Sequence, residues 1–393
     1  MLLAPSLATK PHSQAPRLAF FYFASFLIVG VQTPFWPVWL AGKGLGVREI
    51  ATVFAASLWA KVAATPAIGA LADRLGRRQA VMTVLAGASV LFYATLWDAA
   101  GFWAVLWLYM AAAVCQSALQ PLGDSITLAA VRQDGLDYGR VRVWGSVSFI
   151  VAAAGSGLVL AGAPGNRVLA LVLGATALLF AACLALPRTP VQHVGRARWA
   201  ALGEFAASPR FWLFVAAASA LQSSHQVYYG FGTLNWRRLG FSDPIIGCLW
   251  AEGVVAEIGL FWVGGWLAAR IGPRGLMALS GLGGIVRWTL AGFLPGLPAA
   301  VGLQLLHALT FGAGHLGAMY YLSRTVPPNA AASAQALYAA VSAGLGSGLV
   351  MLGAGALYAD FGGRAYVFMG ILSAAGLAGV AVLRRTGEAA SAA

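Results

Sequence analysis

Six ionisable side chains fall inside long apolar stretches of this 393-residue chain: Lys61, Asp124, Arg142, Glu252, Glu257 and Arg287. Placing such a group in hydrocarbon costs at least about 2.5–3.5 kcal/mol on insertion scales. It persists where it pairs or faces a water-filled cavity, and there it can bind a charged solute or carry a proton. Three of the six are basic and three acidic, so mutual pairing around a central cavity is expected. His225, His307 and His315 add groups that titrate near neutrality. His307 and His315 stand eight residues apart, near one helical face, a spacing that suits a proton path. Arg140 and Arg142 are two apart and point in different directions on a helix. The reading pairs Arg142 with Asp124 to bind substrate or gate, and leaves Arg140 at headgroup level. The alternative for Arg142 is a side chain that snorkels to the surface.

The elements that hold these residues are apolar helices. Hydrophobic residues make up 60% of the chain and charged residues 9%, with mean hydropathy +0.78. A soluble chain of this length would need far more charge. About twelve spans are predicted, at 18–41, 50–71, 79–97, 103–130, 141–162, 167–187, 211–234, 245–268, 276–295, 299–323, 332–357 and 365–383. With the N-terminus inside, 16 of the 25 basic residues fall in inner loops and tails and 6 in outer loops. That bias predicts both termini in the cytoplasm. The net charge of +13 is then a topology signal, and no basic stripe remains for nucleic acid. The N-terminal MLLAPSLATKPHSQAPR lacks an apolar h-region and does not read as a cleaved signal peptide. Cys115, Cys183 and Cys248 read as apolar filler, without disulfide or metal spacing. No cofactor, metal motif or nucleophile–base set is found.

The chain repeats itself once. Gly-x-x-Ala-x-Arg-x-Gly-x-Arg occurs at Gly69–Arg78 and at Gly265–Arg274, 196 residues apart. Lys61 and Glu257 each stand eight residues before their copy, so a pseudo-twofold axis sets a cation and an anion on opposite walls of one cleft. The alternative is an ion pair that only steadies the bundle. The repeat predicts an all-α membrane protein of two six-helix halves, 1–187 and 211–393, joined by a basic linker at 188–210. Gly344, Gly348 and Gly355 lie near one face and read as a close-packing surface, or alternatively a hinge. Phe35, Trp36, Trp144, Phe149, Tyr228, Tyr229, Trp236 and Trp288 are the aromatic residues near the expected cleft.

The stretch GALADRLGRR at 69–78 resembles the loop signature of the major facilitator superfamily. The resemblance implies a conformational latch of Gly69, Asp73, Arg74, Gly76, Arg77 and Arg78. There Asp73 holds the loop against the neighbouring bundle in one access state. The second copy has Ala269 in place of the acid. YGRVRVWGS (138–146), LQSSHQVYYGF (221–231), WAEGVVAEI (250–258), GGIVRW (283–288) and LLHALTFGAGHLGAM (305–319) are most similar to the 3-phenylpropionate permease group, relatives of lactose permease and the nucleoside–proton symporters. The resemblance implies that Asp124 and Arg142 form a substrate pair, that Phe149 stacks on substrate, and that Arg287 and His307 belong to a coupling network. Gln304 and Thr310 stand where the resemblance to lactose permease implies a lysine and a coupling glutamate.

These expectations combine into a secondary transporter of the bacterial inner membrane that imports a small organic solute with protons by alternating access. An aromatic carboxylate is the first choice of solute. Lys61, Asp124, Arg142, Phe149, Tyr228 and Arg287 are the candidate substrate contacts. Glu257, Asp124 and His307 are the candidate proton carriers. The expected partners are substrate, protons and lipid, and the expected unit is a monomer. A sugar, nucleoside or siderophore importer is the alternative, or a proton-driven exporter, with a non-transporting membrane sensor behind them. Span five, VRVWGSVSFIVAAAGSGLVLAG, lacks the proline of exporter motifs and leans towards import.

Overall fold

The computed structural model describes residues 14–162, 166–187, 207–327 and 330–392. The proposed linker at 188–210 therefore lies almost entirely outside the described residues. Among those described there is helix and no strand. The first half holds α1 (Ala15–Gly42), α2 (Val47–Leu75), α3 (Arg78–Thr95), α4 (Phe102–Ser117), α5 (Leu119–Asp134), α6 (Tyr138–Leu160) and α7 (Asn166–Ala185). The second holds α8 (Pro209–Ser223), α9 (Gln226–Arg238), α10 (Asp243–Phe293), α11 (Leu297–Leu305), α12 (Gly314–Thr325), α13 (Ala331–Ala339), α14 (Ser347–Phe361) and α15 (Ala365–Ala392). Two π-helical segments, Ala308–Ala313 and Ala340–Gly346, join α11 to α12 and α13 to α14.

Eight helical stretches among the described residues are long and apolar enough to cross a bilayer. Two of them, Asp243–Phe293 and Ser333–Arg385, run 51 and 53 residues. At about 1.5 Å per residue each is more than twice the ~30 Å hydrocarbon thickness, so each holds two crossings. The fold is consistent with the twelve passes expected. Four passes are broken where a single helix is predicted: α4 from α5 at Ala118, α8 from α9 at Ser224–His225, and α11 from α12 and α13 from α14 by the π segments.

The repeat in the sequence is a repeat in the backbone. Gly44 and Gly240 have φ of 84° and 85°, and α2 and α10 begin at Val47 and Asp243, all 196 residues apart. Gly76 and Gly272 follow at the same offset, with φ of 62° and 68°. Glycine enters positive-φ backbone without strain, which suits the second glycine of both motif copies. The ends differ. Gly76 closes α2 in the left-handed region (ψ 16°), whereas Gly272 takes ψ 174° and Pro273 starts the next stretch of α10.

Packing shows which way the molecule is open. Ala15 marks one face of the bundle, called here the terminal face; α1 ends and α2 begins at the opposite face. A single apolar core runs through both halves near the opposite face, containing Phe35, Trp36 and Phe149 together with Tyr228, Ile246 and Trp250. Toward the terminal face the core divides. Leu18, Met82, Ile126 and Leu179 form one cluster in the first half, and Phe214, Met277, Leu322 and Leu383 another in the second. Glycines seal the shared end. A Cβ on Gly157 would strike the Asp243 carbonyl, and one on Gly247 the Ala153 carbonyl, so α6 and α10 meet backbone to backbone. Gly344, Gly348 and Gly355 take the side chains of Val62, Trp59 and Ala51 of α2 against their backbone, as a close-packing surface does. Arg48 of α2 and Asp360 of α14 add an ion pair of 3.0 Å across the same end.

Candidate substrate and coupling site

Four-residue spacings on three helices build the first-half cluster. Asp137 caps α6 by accepting from the Arg140 N–H at 3.2 Å, which sets Tyr138 and Arg142 one turn apart on one face. Tyr22 and Phe26 on α1 meet that face, as do Gln120 and Asp124 on α5. Asp124 Oδ1 accepts from Tyr22 Oη at 2.5 Å, Tyr138 Oη at 3.2 Å and Gln120 Nε2 at 3.2 Å. The Arg142 guanidinium lies 4.0 Å from the centre of the Phe26 ring and 5.5 Å from that of Tyr22. Gly145 leaves it room, because a Cβ there would sit 2.6 Å from Arg142 Nη1.

The expected Asp124–Arg142 ion pair is therefore not formed in this conformer. Tyr22 stands between the two, giving its hydroxyl to the acid and its ring to the cation. The wider expectation of mutual pairing is also corrected. None of the six in-span charges has an oppositely charged member of the set within 4.0 Å. Hydroxyls, amides and aromatic faces surround Asp124, Arg142 and Arg287 instead.

In the second half the broken pass α11–α12 decides the geometry. A π segment adds a residue to the turn and often marks a functional site. Here it begins after His307 and carries Thr310, bringing both against Arg287 of α10. Arg287 is 1% exposed. Its Nη1 is 3.1 Å from His307 Nδ1 and 2.8 Å from Thr310 Oγ1, and its Nη2 is 2.7 Å from Gln304 Oε1. Gln304 Nε2 then donates to Tyr228 Oη at 2.8 Å and to the Leu249 carbonyl at 2.7 Å. The Tyr228 and Trp288 rings flank the guanidinium at 5.0 and 4.5 Å.

The donor inventory fixes the imidazole protons. A guanidinium only donates, so His307 Nδ1 accepts and the ring proton sits on Nε2. That nitrogen is 3.7 Å from Glu257 Oε2. Thr310 Oγ1 accepts from Arg287 and gives its own proton to His225 Nε2 at 3.1 Å, leaving His225 Nδ1–H for the Gln222 carbonyl at 3.0 Å. His307 is thus a neutral donor aimed at Glu257 while Arg287 holds it. The His307, Phe311 and His315 rings stack in turn at 5.4 and 6.1 Å.

The seam between the halves carries three of the candidates. Arg142 on α6 and Glu257 on α10 stand on the two helices that meet backbone to backbone across it. Lys61 lies between Trp59 and Val62, the residues that touch Gly348 and Gly344, and makes no ion pair or hydrogen bond among the described residues. Asp124 belongs to the first-half cluster, Arg287 and His307 to the second-half network, and Tyr228 joins that network to the shared core. Phe149 is 9% exposed and belongs to the shared core. Glu252 lies apart, in an apolar depression between α10 and α11 beside Ile245 and Val301.

In the motif loop Asp73 Oδ1 accepts from Arg78 Nη2 at 2.7 Å and Nε at 3.0 Å, and Arg78 Nη1 reaches Ser125 Oγ at 2.7 Å. The acid bonds within its own half in this conformer. Arg74 and Arg77 are exposed and make no ion pair among the described residues. Gly69 has open space where a Cβ would lie. At the repeat-related position, Arg274 donates to the Leu383 and Arg384 carbonyls at 3.4 and 3.3 Å.

The sequence comparison decides the family: residues 16–369 match the family described as "MFS_1 like family". The chain belongs to the MFS_1-like family of the major facilitator superfamily. It is 32% identical over 363 residues to the "Probable 3-phenylpropionic acid transporter" of Escherichia coli (strain K12), covering 91% of this chain and 94% of that protein. The "Maltose permease" of Geobacillus stearothermophilus is 27% identical, covering 91% of each. The crystal structure of the nucleoside transporter NupG superposes with a TM-score of 0.82 at 17% identity, covering 94% of this chain and 98% of that one. An inward-facing, unoccupied bacterial homologue of the human lysosomal transporter Spinster gives 0.78 at 15% identity, covering 96% and 98%. This MFS_1-like chain is accordingly a multi-pass membrane transporter of small molecules.

Proposed function

We propose that the chain is a proton-coupled importer of a small organic carboxylate, of the 3-phenylpropionate type, working by alternating access. One observation carries this reading: Lys61, Arg142 and Arg287 are intramembrane cations without a carboxylate within 4.0 Å, while the acid Glu257 faces a neutral histidine. A solute carboxylate supplies the missing anion, and Lys61 and Arg142 at the seam are its first contacts. Glu257 Oε2 takes the proton, with His307 Nε2–H as its neighbour. Protonation removes the anion that Arg142 attracts across the seam and frees the two halves to rock. In this reading 1–187 and 211–393 are the moving units and both termini are cytoplasmic, so the terminal face is the inside. The working unit is a monomer in the bacterial inner membrane. The name of the 32%-identical relative supports the carboxylate. The maltose permease among the relatives makes a sugar the second reading.

The test is uptake of radiolabelled 3-phenylpropionate into proteoliposomes under an imposed pH gradient, acid outside. Accumulation that a protonophore collapses and excess maltose leaves intact is expected. Glu257→Gln is expected to abolish gradient-driven uptake and to spare exchange with preloaded solute. Equal gradient-driven uptake in mutant and parent would remove Glu257 from coupling.

A further inference from the structure

A cavity of about 510 Å³ lies wholly within the second half, away from the seam. Leu239, Leu294, Pro295, Phe361, Gly363 and Arg364 surround its mouth. These residues end or begin helices at the face opposite the termini, where the halves are sealed together. Its floor is the far side of the coupling network: Arg287, Gln304, Tyr228 and Trp288. The structure is thus shut between the halves at that face yet hollow inside one of them, down to the guanidinium that holds His307.

The lining chooses its ligand. Arg238, Arg287 and Arg364 contribute three cations, and Asp360, the carboxylate among the lining residues, is taken by Arg48 of the other half at 3.0 Å. Arg238 Nη2 bonds only the neutral Asn235 Oδ1, at 3.3 Å, and Arg364 has no ion pair among the described residues. Arg287 is 1% exposed and all its hydrogen-bond acceptors are neutral. Burying a cation without an anion is costly, and an anion within the same cavity relieves that cost. Four largely buried aromatic side chains line the walls, Tyr228, Trp236, Trp288 and Tyr366, with Phe293 and Phe361 exposed near the mouth. A flat apolar body finds aromatic surface there, and its charged end finds arginine. Sites for small organic ligands run about 300–1,000 Å³, which the cavity satisfies.

We propose that this cavity is a second binding site for arylalkyl carboxylates, entered from the face opposite the termini, with Arg287 at its floor and Arg238 and Arg364 toward its mouth. The choice of ligand class rests on the carboxylate reading above, whereas the site itself rests on the cavity and its charges. An occupant shares Arg287 with the network that orients His307 toward Glu257. Loading the cavity while the seam is shut at that face therefore reports outside solute to the coupling acid.

Equilibrium dialysis of the purified full chain with radiolabelled 3-phenylpropionate tests this, with 3-phenylpropanamide as the uncharged competitor. Two molecules per chain are expected, the amide displacing neither. Arg364→Gln, at an exposed position, is expected to weaken one of the two by about tenfold or more, the loss of a charged hydrogen bond. Ala291→Phe, which fills the cavity, is expected to remove the same one. Lys61→Ala is expected to weaken only the other. Thermal unfolding of each variant checks that it is folded. One molecule per chain, lost in Lys61→Ala and untouched by Arg364→Gln and Ala291→Phe, overturns the second site and leaves the importer standing. One molecule lost in the cavity variants alone supports the site and overturns the seam as the place of substrate binding. No binding of the carboxylate overturns both.

Discussion

Thr310 is the residue on which the second-half network turns, because one hydroxyl serves Arg287 and His225 at once. Thr310→Val keeps the shape and strands both partners, which costs about 1–3 kcal/mol for a buried group left unmet. The variant is expected to melt measurably lower in detergent micelles, and Thr310→Ser, which restores the oxygen, close to the parent. Equal melting of parent and Val variant would mean that the hydroxyl is idle. Sequence alone picks out Lys61, Glu257, Arg287 and His307, because charge in an apolar run is conspicuous. It does not show that Gln304 and Thr310, read as departures from the coupling pattern, are the acceptors that replace it. Nor does it show that Tyr22 separates Arg142 from Asp124. Threonine, glutamine and tyrosine are ordinary packing residues in such helices. Their convergence depends on a π segment and on four-residue ladders from three elements, which no local pattern announces. The usable signal was indirect: an arginine stripped of its acidic neighbours must find neutral acceptors, and two polar residues stood at the vacated positions.

Among the elements, the motif glycines offer the sharpest contrast. Gly76 sits in the left-handed region, which asparagine also visits, whereas Gly272 has φ 68° and ψ 174°, a region essentially reserved for glycine. Gly76→Asn is expected to purify and melt like the parent. Gly272→Asn is expected to lose about 1–3 kcal/mol, read as a lower melting temperature and a poorer folded yield. Similar behaviour of the two would contradict the assigned backbone. The repeat itself was legible from ten residues of motif, and the 196-residue offset carries through to helix starts and loop glycines. The predicted spans run through the breaks at Ala118, at Ser224–His225 and through Ala308–Ala313. Pro121, in the first turn of α5, and the polar run Gln222–Gln226 were local signals for the first two, and nothing local marks the third. Tertiary hydrogen bonds to Arg287 and its partners hold the last two.

For the whole molecule the contacts to test are those that seal the face opposite the termini. Gly157 meets the Asp243 carbonyl with no room for a methyl. Gly157→Leu is expected to wedge α6 from α10 and shift the population toward the conformer open at that face. Spin labels at the outer ends of α2 and α14 should then report a longer distance than in the parent. An unchanged distance distribution would show that the seal lies elsewhere. The shared core has a kinetic corollary. Its apolar surface is dry only while the two lobes touch, and wetting it costs about 25 cal/mol for each Å². In the proposed import cycle an empty carrier accordingly idles with its mouth toward the termini, and swinging back unladen is the slow leg of the round trip. Solute waiting inside relieves that leg by riding outward, so preloaded vesicles should take up label faster than empty ones.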